Sequence, residues 1–268
     1  MKKIDTKNYI SYARNNCRLC LSKEIEIAVN MGKSPISEKY VKKDNLENII
    51  PKVSLNLYFC KKCSHVQLLD VVNPDFLWAD FTFKTSRDIK LIKHFQDYVD
   101  RVFKVKKIDK KDFIIDIGSN DGTLLQCFKD KGYQNILGVD PASEIVDQAN
   151  QSGIKTIKGY FNLELSKNIS SENGKAKIIT ANNVFAHTDD LRGMLEAIKL
   201  MMDNESIFVF EVINSEIFSA DIVQSSLFTS TKTGSAPVYL IALALATHVS
   251  SGTITSSPGP ISSAKRDK

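Results

Sequence analysis

Between residues 112 and 212 the chain alternates short β-rich runs with amphipathic helical patterns. The β-rich runs predict five strands, at 113–116, 136–140, 154–159, 176–181 and 206–212. Helices are predicted between them, at 122–131, 142–152, 162–169 and 189–202. This alternation indicates an α/β fold with a parallel, doubly wound sheet, because right-handed crossovers return the chain to the same sheet edge. Ligands of such sheets bind at the carboxyl ends of the strands.

The first of these strands ends in the stretch "DIGSNDG", residues 116–122. Gly118 and Gly122 permit a tight turn and a close approach of a ligand to the backbone, and the following helix directs its positive end there. A dinucleotide fingerprint, G-x-G-x-x-G, requires glycine where Asn120 stands. We therefore interpret Asp116, Gly118, Asn120 and Gly122 as residues that bind a cofactor other than a dinucleotide, and a dehydrogenase is the least favoured class.

Polar residues also follow the second and fourth strands. Asp140 ends the second strand, where an acidic side chain can accept hydrogen bonds from ribose hydroxyls. It can equally cap the next helix ahead of Pro141, and both roles are compatible. Asn183 follows the fourth strand and is a further candidate for cofactor binding. His187 is a candidate base, although the alternative that this stretch only begins a capped helix is about as strong.

Two C-x-x-C pairs lie near the N-terminus, "CRLC" and "CKKC", with 39 residues between them. Two such knuckles can complete a closed, tetrahedral Cys₄ zinc site, which is structural and couples metal binding to folding. A redox role is not favoured, because neither pair opens a helix after a strand. The predicted ligands are Cys17, Cys20, Cys60 and Cys63, with His65 as a spare ligand or a packing residue.

Together these stretches resemble the sugar C-methyltransferases, a family that uses S-adenosylmethionine (SAM) to methylate nucleotide-linked deoxysugars. The resemblance is carried, in family order, by "CRLC", "CKKCSHVQL", "TSRDIKLIKHF", "IDIGSNDGTLL", "GVDPA", "NNVFAHTDDL" and "FVFEV". It covers residues 15 to 212 and implies a zinc domain, a Rossmann-like class I methyltransferase domain and a further C-terminal domain. It also implies that a base removes a proton beside a sugar ketone before methyl transfer.

The resemblance divides the chain into four parts: a zinc-binding domain at 1–75, a helical linker at 76–111, the SAM-binding methyltransferase domain at 112–213 and a tail at 214–268. In the linker, Ile89, Ile92, Phe95, Val99 and Val102 predict an amphipathic helix. The tail contains 18 Ser or Thr residues and only 7 charged residues, so we expect it to be disordered.

The chain departs from the family pattern at two places. Phe81 and Phe83 stand where family members carry tyrosines, and a Tyr-His-Glu-His-like stretch that holds the family's base is not found. His248 has no comparable neighbours. We therefore interpret the tail as sequence foreign to the family, as a truncated or frame-shifted gene would produce. This interpretation predicts an incomplete C-terminal sheet edge, and SAM binding rather than turnover.

The formal net charge of +5, with both signs interspersed, gives little indication of a nucleic-acid partner. No apolar run is long enough to cross a membrane, and the N-terminus lacks the apolar core of a signal peptide, so we expect a cytoplasmic protein. Two alternatives to the sugar methyltransferase stay open. One is a methyltransferase of RNA or protein, and the other is a non-catalytic protein that retains only zinc and SAM binding.

Overall fold

A computed structural model describes residues 9–36, 43, 51–212, 239–242, 249–250 and 253–254. The N-terminal part consists of short antiparallel strands. These are β1 (Ser11–Ala13), β2 (Ile25–Val29), β3 (Lys33–Pro35), β4 (Lys52–Ser54), β5 (Leu57–Cys60), β6 (Val66–Leu68) and β7 (Asp70–Val72). Strands β2, β5 and β6 form one sheet, while β1 pairs with β7 and β3 with β4. We call residues 9–72 the cysteine module.

Two helices connect the cysteine module to the main sheet. Helix α1 (Pro74–Trp78) is followed by a 3₁₀ turn (Thr85–Arg87) and by helix α2 (Ile89–Val105). Asp88 caps α2 by accepting hydrogen bonds from the N–H groups of Lys90 and Leu91. The predicted apolar stripe is buried at Phe95, Val99 and Val102. It is wrong at Ile89, the first residue of the helix, which is 82% exposed.

The main sheet confirms the predicted fold class. Its strands are β8 (Ile114–Ile117), β9 (Ile136–Asp140), β10 (Thr156–Lys158), β11 (Ile178–Asn182), β12 (Ile207–Glu211) and β13 (Tyr239–Ala242). The crossover helices are α3 (Thr123–Asp130), α4 (Ser143–Gln151), α5 (Leu163–Asn173) and α6 (Leu191–Met201). The spatial order is β10-β9-β8-β11-β12-β13, and all pairings are parallel. The order reverses between β8 and β11, which is the switch point where ligands of such sheets bind.

Helices cover both faces of this sheet. Alternate strand residues point to opposite faces, so Ile114, Ile178 and Ile207 pack with α2 and α3, while their neighbours pack with α5 and α6. Cys127 is buried on the first face, as its position in a crossover helix predicts. The two apolar layers hold the carboxyl ends of β8, β9 and β11 side by side.

The sheet extends one strand further than the sequence suggests. We expected the edge beyond β12 to be uncovered, but β13 pairs with β12 in parallel, with Ile207 opposite Tyr239 and Phe210 opposite Ala242. This strand falls within the stretch that we assigned to the tail, together with the short pair Val249–Ser250 and Thr253–Ile254. The rest of the predicted tail, including His248, lies outside the described residues.

Candidate active site and metal centre

The turn after β8 contains two positions at which the backbone conformation and the close neighbours favour glycine. Gly118 and Gly122 have φ angles of +70° and +80°, a region that side chains with a Cβ atom rarely adopt. A Cβ atom at Gly118 would lie 2.2 Å from Val184 Cγ2, and one at Gly122 would lie 2.7 Å from Ile154 Cγ2. The two glycines therefore allow the turn to pack directly against the loop after β11 and against the strand region before β10.

Most of the N–H groups of this turn donate within the protein. Those of Gly118 and Ser119 donate to the carbonyl oxygen of Val139, at 2.7 and 3.2 Å. The N–H of Asn120 donates to Asp140 Oδ2 at 2.9 Å, and that of Gly122 to the carbonyl of Ser119 at 3.0 Å. A pyrophosphate needs several free N–H groups at such a turn. The hydrogen bonding thus agrees with the exclusion of a dinucleotide.

The side chain of Asn120 joins the turn to the linker. Its Oδ1 accepts hydrogen bonds from the N–H and the hydroxyl of Thr85, at 3.0 and 3.2 Å, and its Nδ2 donates to the carbonyl of Phe83 at 2.9 Å. The neighbouring Asp121 accepts a hydrogen bond from the N–H of Ser86 at 2.9 Å. Asn120 borders the cavity described below, but these contacts show that its amide holds the aromatic segment of the linker against the turn.

Asp116 and Asp140 are two nearly buried carboxylates at the ends of adjacent strands. Asp116 is 3% exposed and accepts a hydrogen bond from the Thr180 hydroxyl at 2.7 Å. Its pKa is raised to about 7, mainly by burial, with a further contribution from the nearby charge of Asp140 and against the opposing hydrogen bond from Thr180. Burial also raises the pKa of Asp140, although the N–H groups of Ala142 and Asn120 donate to its two oxygens. Asp140 therefore supports both the next helix and the glycine turn.

A cavity of about 650 Å³ lies over the carboxyl ends of β8, β9 and β11. This volume is in the range of pockets that bind a cofactor-sized ligand. The predicted residues Asp116, Gly118, Asn120, Asp140, Asn183 and His187 all border the cavity, whereas Gly122 does not. Its acidic lining residues are Asp116, Asp140, Asp189 and Asp190, and no lysine or arginine borders it in the described part of the chain. Asp189 is paired with Arg14 and Arg18, so Asp116, Asp140 and Asp190 are the residues that make the cavity suited to a cationic ligand.

Two side chains in the cavity wall have polar atoms without a protein partner. Both the Oδ1 and the Nδ2 atoms of Asn182 are buried and make no hydrogen bond, and the same holds for the Oγ atom of Ser119. Buried polar groups are normally paired. Both residues border the cavity, but these particular atoms have almost no accessible surface and do not face it. The sequence favoured Asn183, which has a left-handed φ of +56° and donates its N–H to the carbonyl of Glu211 at 2.7 Å. Asn182, one residue earlier, also borders the cavity.

His187 also borders the cavity, beside the aromatic ring of Trp78. Its ring is exposed to the cavity, with the ring of Trp78 at 5.0 Å between centroids and an angle of 53°. Partial desolvation by the concave wall lowers the pKa of His187, which favours the neutral imidazole at neutral pH. Phe81 and Phe83 also border the cavity, and so does Tyr160, which follows β10. Tyr160 thus places a phenol in the cavity that the sequence patterns did not reveal.

The four predicted cysteine ligands come together in the cysteine module. Their Sγ atoms all lie within 4.8 Å of one another, with 3.6 Å between those of Cys17 and Cys63 and 3.5 Å between those of Cys20 and Cys60. A tetrahedral zinc ion with bonds of about 2.3 Å requires sulfur atoms roughly 3.8 Å apart. The arrangement therefore fits zinc. His65 does not belong to the cluster, so its alternative role as a ligand is not supported within the described residues.

Both cysteine pairs have the same backbone geometry. Leu21 N–H donates to the carbonyl of Cys17 at 2.9 Å, and Ser64 N–H donates to the carbonyl of Cys60 at 2.8 Å. Leu21 and Ser64, each directly after the second cysteine, have left-handed φ angles of +63° and +59°. We call the two turns, Cys17–Cys20 and Cys60–Cys63, knuckle 1 and knuckle 2. Their matched conformation directs two thiols from each knuckle to one point.

Comparison with known proteins identifies both parts of the chain. Residues 17–78 match a family described as "Putative zinc binding domain", and residues 88–242 match one described as "Methyltransferase domain". The C-methyltransferase NovU of Streptomyces niveus is 25% identical over 198 residues. That alignment covers 74% of this chain and 47% of the relative, so the chain spans about half the length of the curated relative.

Solved structures of methyltransferases also show partial similarity. A SAM-dependent methyltransferase from Anabaena variabilis is 18% identical, with a TM-score of 0.36 over 42% of this chain and 48% of that one. The plantazolicin methyltransferase BpumL, solved with S-adenosylhomocysteine, is 25% identical, with a TM-score of 0.34 over 44% and 43% of the two chains. Among the described residues, no helix has the length and hydropathy needed to cross a membrane.

Proposed function

The chain belongs to the methyltransferase-domain family, with a zinc-binding module before it, and we propose that it binds SAM for C-methylation of a nucleotide-linked keto-deoxysugar. When bound, SAM supplies an electrophilic methyl group. The observation that carries the proposal is the acidic cavity at the switch point of the sheet, which contains no lysine or arginine in its described lining. A sulfonium and an ammonium group match this charge, whereas a pyrophosphate does not.

We assign SAM binding to the residues at the ends of β8 and β9. Asp116 is a nearly buried carboxylate with a raised pKa, and a cationic ligand beside it would favour its ionised form. Asp140 is positioned at the end of β9, where a carboxylate can accept hydrogen bonds from ribose hydroxyls. Gly118 brings the backbone close to the cavity, while Gly122 and the side chain of Asn120 maintain the turn.

The stretch that holds the family's base was not found in the sequence, which predicted SAM binding rather than turnover. We propose that His187 removes the proton from the substrate in its place. Its neutral imidazole faces the cavity and can accept a proton from the carbon beside a sugar ketone. The support for a sugar substrate is the sequence resemblance together with the relative named as a C-methyltransferase.

The charge of the cavity also bears on how such a substrate would bind. A nucleotide diphosphate carries negative charges that the acidic wall would repel. We therefore propose that only the sugar enters the cavity, with the diphosphate outside its described lining. Aromatic side chains at the cavity wall, among them Trp78, Phe81 and Phe83, can contact the apolar face of a deoxysugar ring.

We propose Cys17, Cys20, Cys60 and Cys63 as the zinc ligands, and the sulfur positions support this assignment. We also propose that the zinc-binding part ends near residue 75 and the methyltransferase part begins near residue 112, with the 76–111 linker contributing to the cavity. The aromatic and polar contacts of the linker with the glycine turn support that contribution.

The test of the proposed reaction separates deprotonation from methyl transfer. The zinc-loaded protein is incubated in deuterium oxide with nucleotide-linked keto-deoxysugars, and deuterium uptake beside the ketone is followed by NMR, with and without SAM. We expect deuterium uptake by the native protein, its loss in His187→Ala and unchanged S-adenosylhomocysteine binding in that variant. Methylation is measured by mass spectrometry. Binding of S-adenosylhomocysteine with neither deuterium uptake nor methylation of any sugar nucleotide would contradict the proposed reaction and favour a non-catalytic SAM-binding protein.

A further inference from the structure

One carboxylate in the cavity wall is held by three side chains of the cysteine module. Asp189 accepts hydrogen bonds from the Tyr12 hydroxyl at 2.7 Å, from Arg14 Nη1 at 2.8 Å and from Arg18 Nε at 3.0 Å. The side chains of Asp189, Arg14 and Arg18 are 27%, 15% and 14% exposed, so the cluster is largely withdrawn from water. Such charge-assisted hydrogen bonds are stronger than those on an open surface.

Knuckle 1 contributes directly to this contact. Arg18 lies between Cys17 and Cys20, and its Nη1 and N–H also bond to the carbonyl of Leu68 and to Gln67 Oε1, both at 2.9 Å. The other intervening residue, Leu19, accepts a hydrogen bond through its carbonyl from Arg192 Nε at 3.1 Å. Arg18 therefore contacts the segment between β11 and α6, and Leu19 contacts helix α6 itself.

Knuckle 2 has a different environment. Its intervening residue Lys61 pairs with Glu26 of the same module at 2.7 Å, and the two side chains are 57% and 52% exposed. That pair does not reach the cavity wall. Of the two knuckles, knuckle 1 is therefore the one that contacts Asp189, beside Tyr12 and Arg14 of the same module. Lys61 offers a matched cationic residue without such a contact.

The segment that receives the contact also carries His187. It runs from the 3₁₀ turn Phe185–His187 to Asp190, whose Oδ1 caps α6 by accepting a hydrogen bond from Gly193 N–H at 2.9 Å. His187, Asp189 and Asp190 all border the cavity. A movement of Asp189 would therefore move the wall on which the imidazole stands.

We propose that the Arg18–Asp189 contact couples zinc loading of knuckle 1 to the His187–Asp190 wall of the cavity. This inference rests on the proposed function for its effect on SAM binding, but not for the coupling itself. Zinc fixes the backbone of a knuckle, because its two thiolates become ligands of one ion. A fixed knuckle holds Arg18 in place, and Arg18 holds Asp189. Arg18 and Asp189 are thus positioning residues, which act on the site without any zinc ligand touching it.

The test compares Arg18→Ala, Asp189→Asn and the control Lys61→Ala in the full chain with bound zinc quantified. In Arg18→Ala and Asp189→Asn we expect one equivalent of zinc, faster hydrogen exchange at residues 187–191 and roughly tenfold weaker binding of S-adenosylhomocysteine. Lys61→Ala is expected to match the native protein in all three measurements. A double variant, Arg18→Ala with Asp189→Asn, should bind S-adenosylhomocysteine no more weakly than Asp189→Asn alone, because Asp189→Asn already weakens the contact that Arg18→Ala removes.

Each result decides a separate point. If Arg18→Ala keeps its zinc, native exchange rates at residues 187–191 and native ligand affinity, the coupling is wrong. If Lys61→Ala shows the same losses as Arg18→Ala, the effect is a general weakening of the module and the proposal is also wrong. If the native protein does not bind S-adenosylhomocysteine at all, the proposed function fails, while the exchange rates still test the coupling.

Discussion

Replacing Asp116 with Asn should stabilise the ligand-free protein at neutral pH and weaken SAM binding. Asn has nearly the same shape, and its Oδ1 atom can still accept the hydrogen bond from Thr180. It removes a charge that the folded protein holds in a nearly buried position beside Asp140. The buried charge destabilises the folded protein only when Asp116 is ionised. The stability gained by Asp116→Asn therefore depends on pH.

The size of the effect follows from the raised pKa. The pKa of Asp116 is about 7 in the folded protein, and an unfolded Asp has a pKa of about 3.9. The native stability is therefore unaffected below about pH 4 and falls as the pH rises to about 7, by up to roughly 4 kcal/mol in total. Between about pH 5 and about pH 8, the advantage of Asp116→Asn over the native protein should grow by about 2–3 kcal/mol.

Urea unfolding of both proteins at these two pH values measures the difference, and calorimetric titration with S-adenosylhomocysteine measures binding. Asp147→Asn is the matched control, because that carboxylate is exposed on helix α4. We expect a pH-dependent gain in stability and weaker ligand binding for Asp116→Asn only. A stability difference that does not change with pH, or a loss of stability at about pH 8, would refute the reasoning that a buried charge is being removed.

Three further changes test the architecture of the site. Gly118→Ala should destabilise the fold by about 1–3 kcal/mol and abolish S-adenosylhomocysteine binding, since the new Cβ atom would overlap Val184; urea unfolding and calorimetry would measure both. Asn120→Ala should cost about 1–3 kcal/mol and release the Phe83–Thr85 contact, visible as faster hydrogen exchange there, and native exchange would contradict this. Zinc removal with a chelator should unfold the cysteine module, seen as lost exchange protection at β5 and β6, and retained protection would contradict a structural metal.

The sequence predicted the fold well wherever local patterns determine it. All five predicted strands of the 112–212 region exist, and the strand at Ile136–Asp140 has the predicted bounds. The hydrophobic runs there are long and the glycine turns unambiguous, so few alternatives compete. The burial of Ile89 was wrong because periodicity places a residue on a helix face but does not show where the covering sheet ends.

The candidate site was predicted less completely, because several of its features depend on distant contacts. The spacing of the cysteine pairs was sufficient to identify the cluster. Nothing local to Asn120 indicates that its amide bonds to Thr85, which lies 35 positions earlier. The contact of Arg18 with Asp189 spans 171 positions. Asn182 and Asn183 are adjacent in sequence, and only the structure shows that both border the cavity.

The most direct test of the central claim is calorimetric titration of the zinc-loaded protein with S-adenosylhomocysteine and, separately, with NAD. The acidic cavity and the internally bonded N–H groups of the Asp116–Gly122 turn predict micromolar binding of S-adenosylhomocysteine and no binding of NAD. Binding of NAD, or a folded, zinc-loaded protein that binds neither ligand, would contradict the claim that this turn holds SAM.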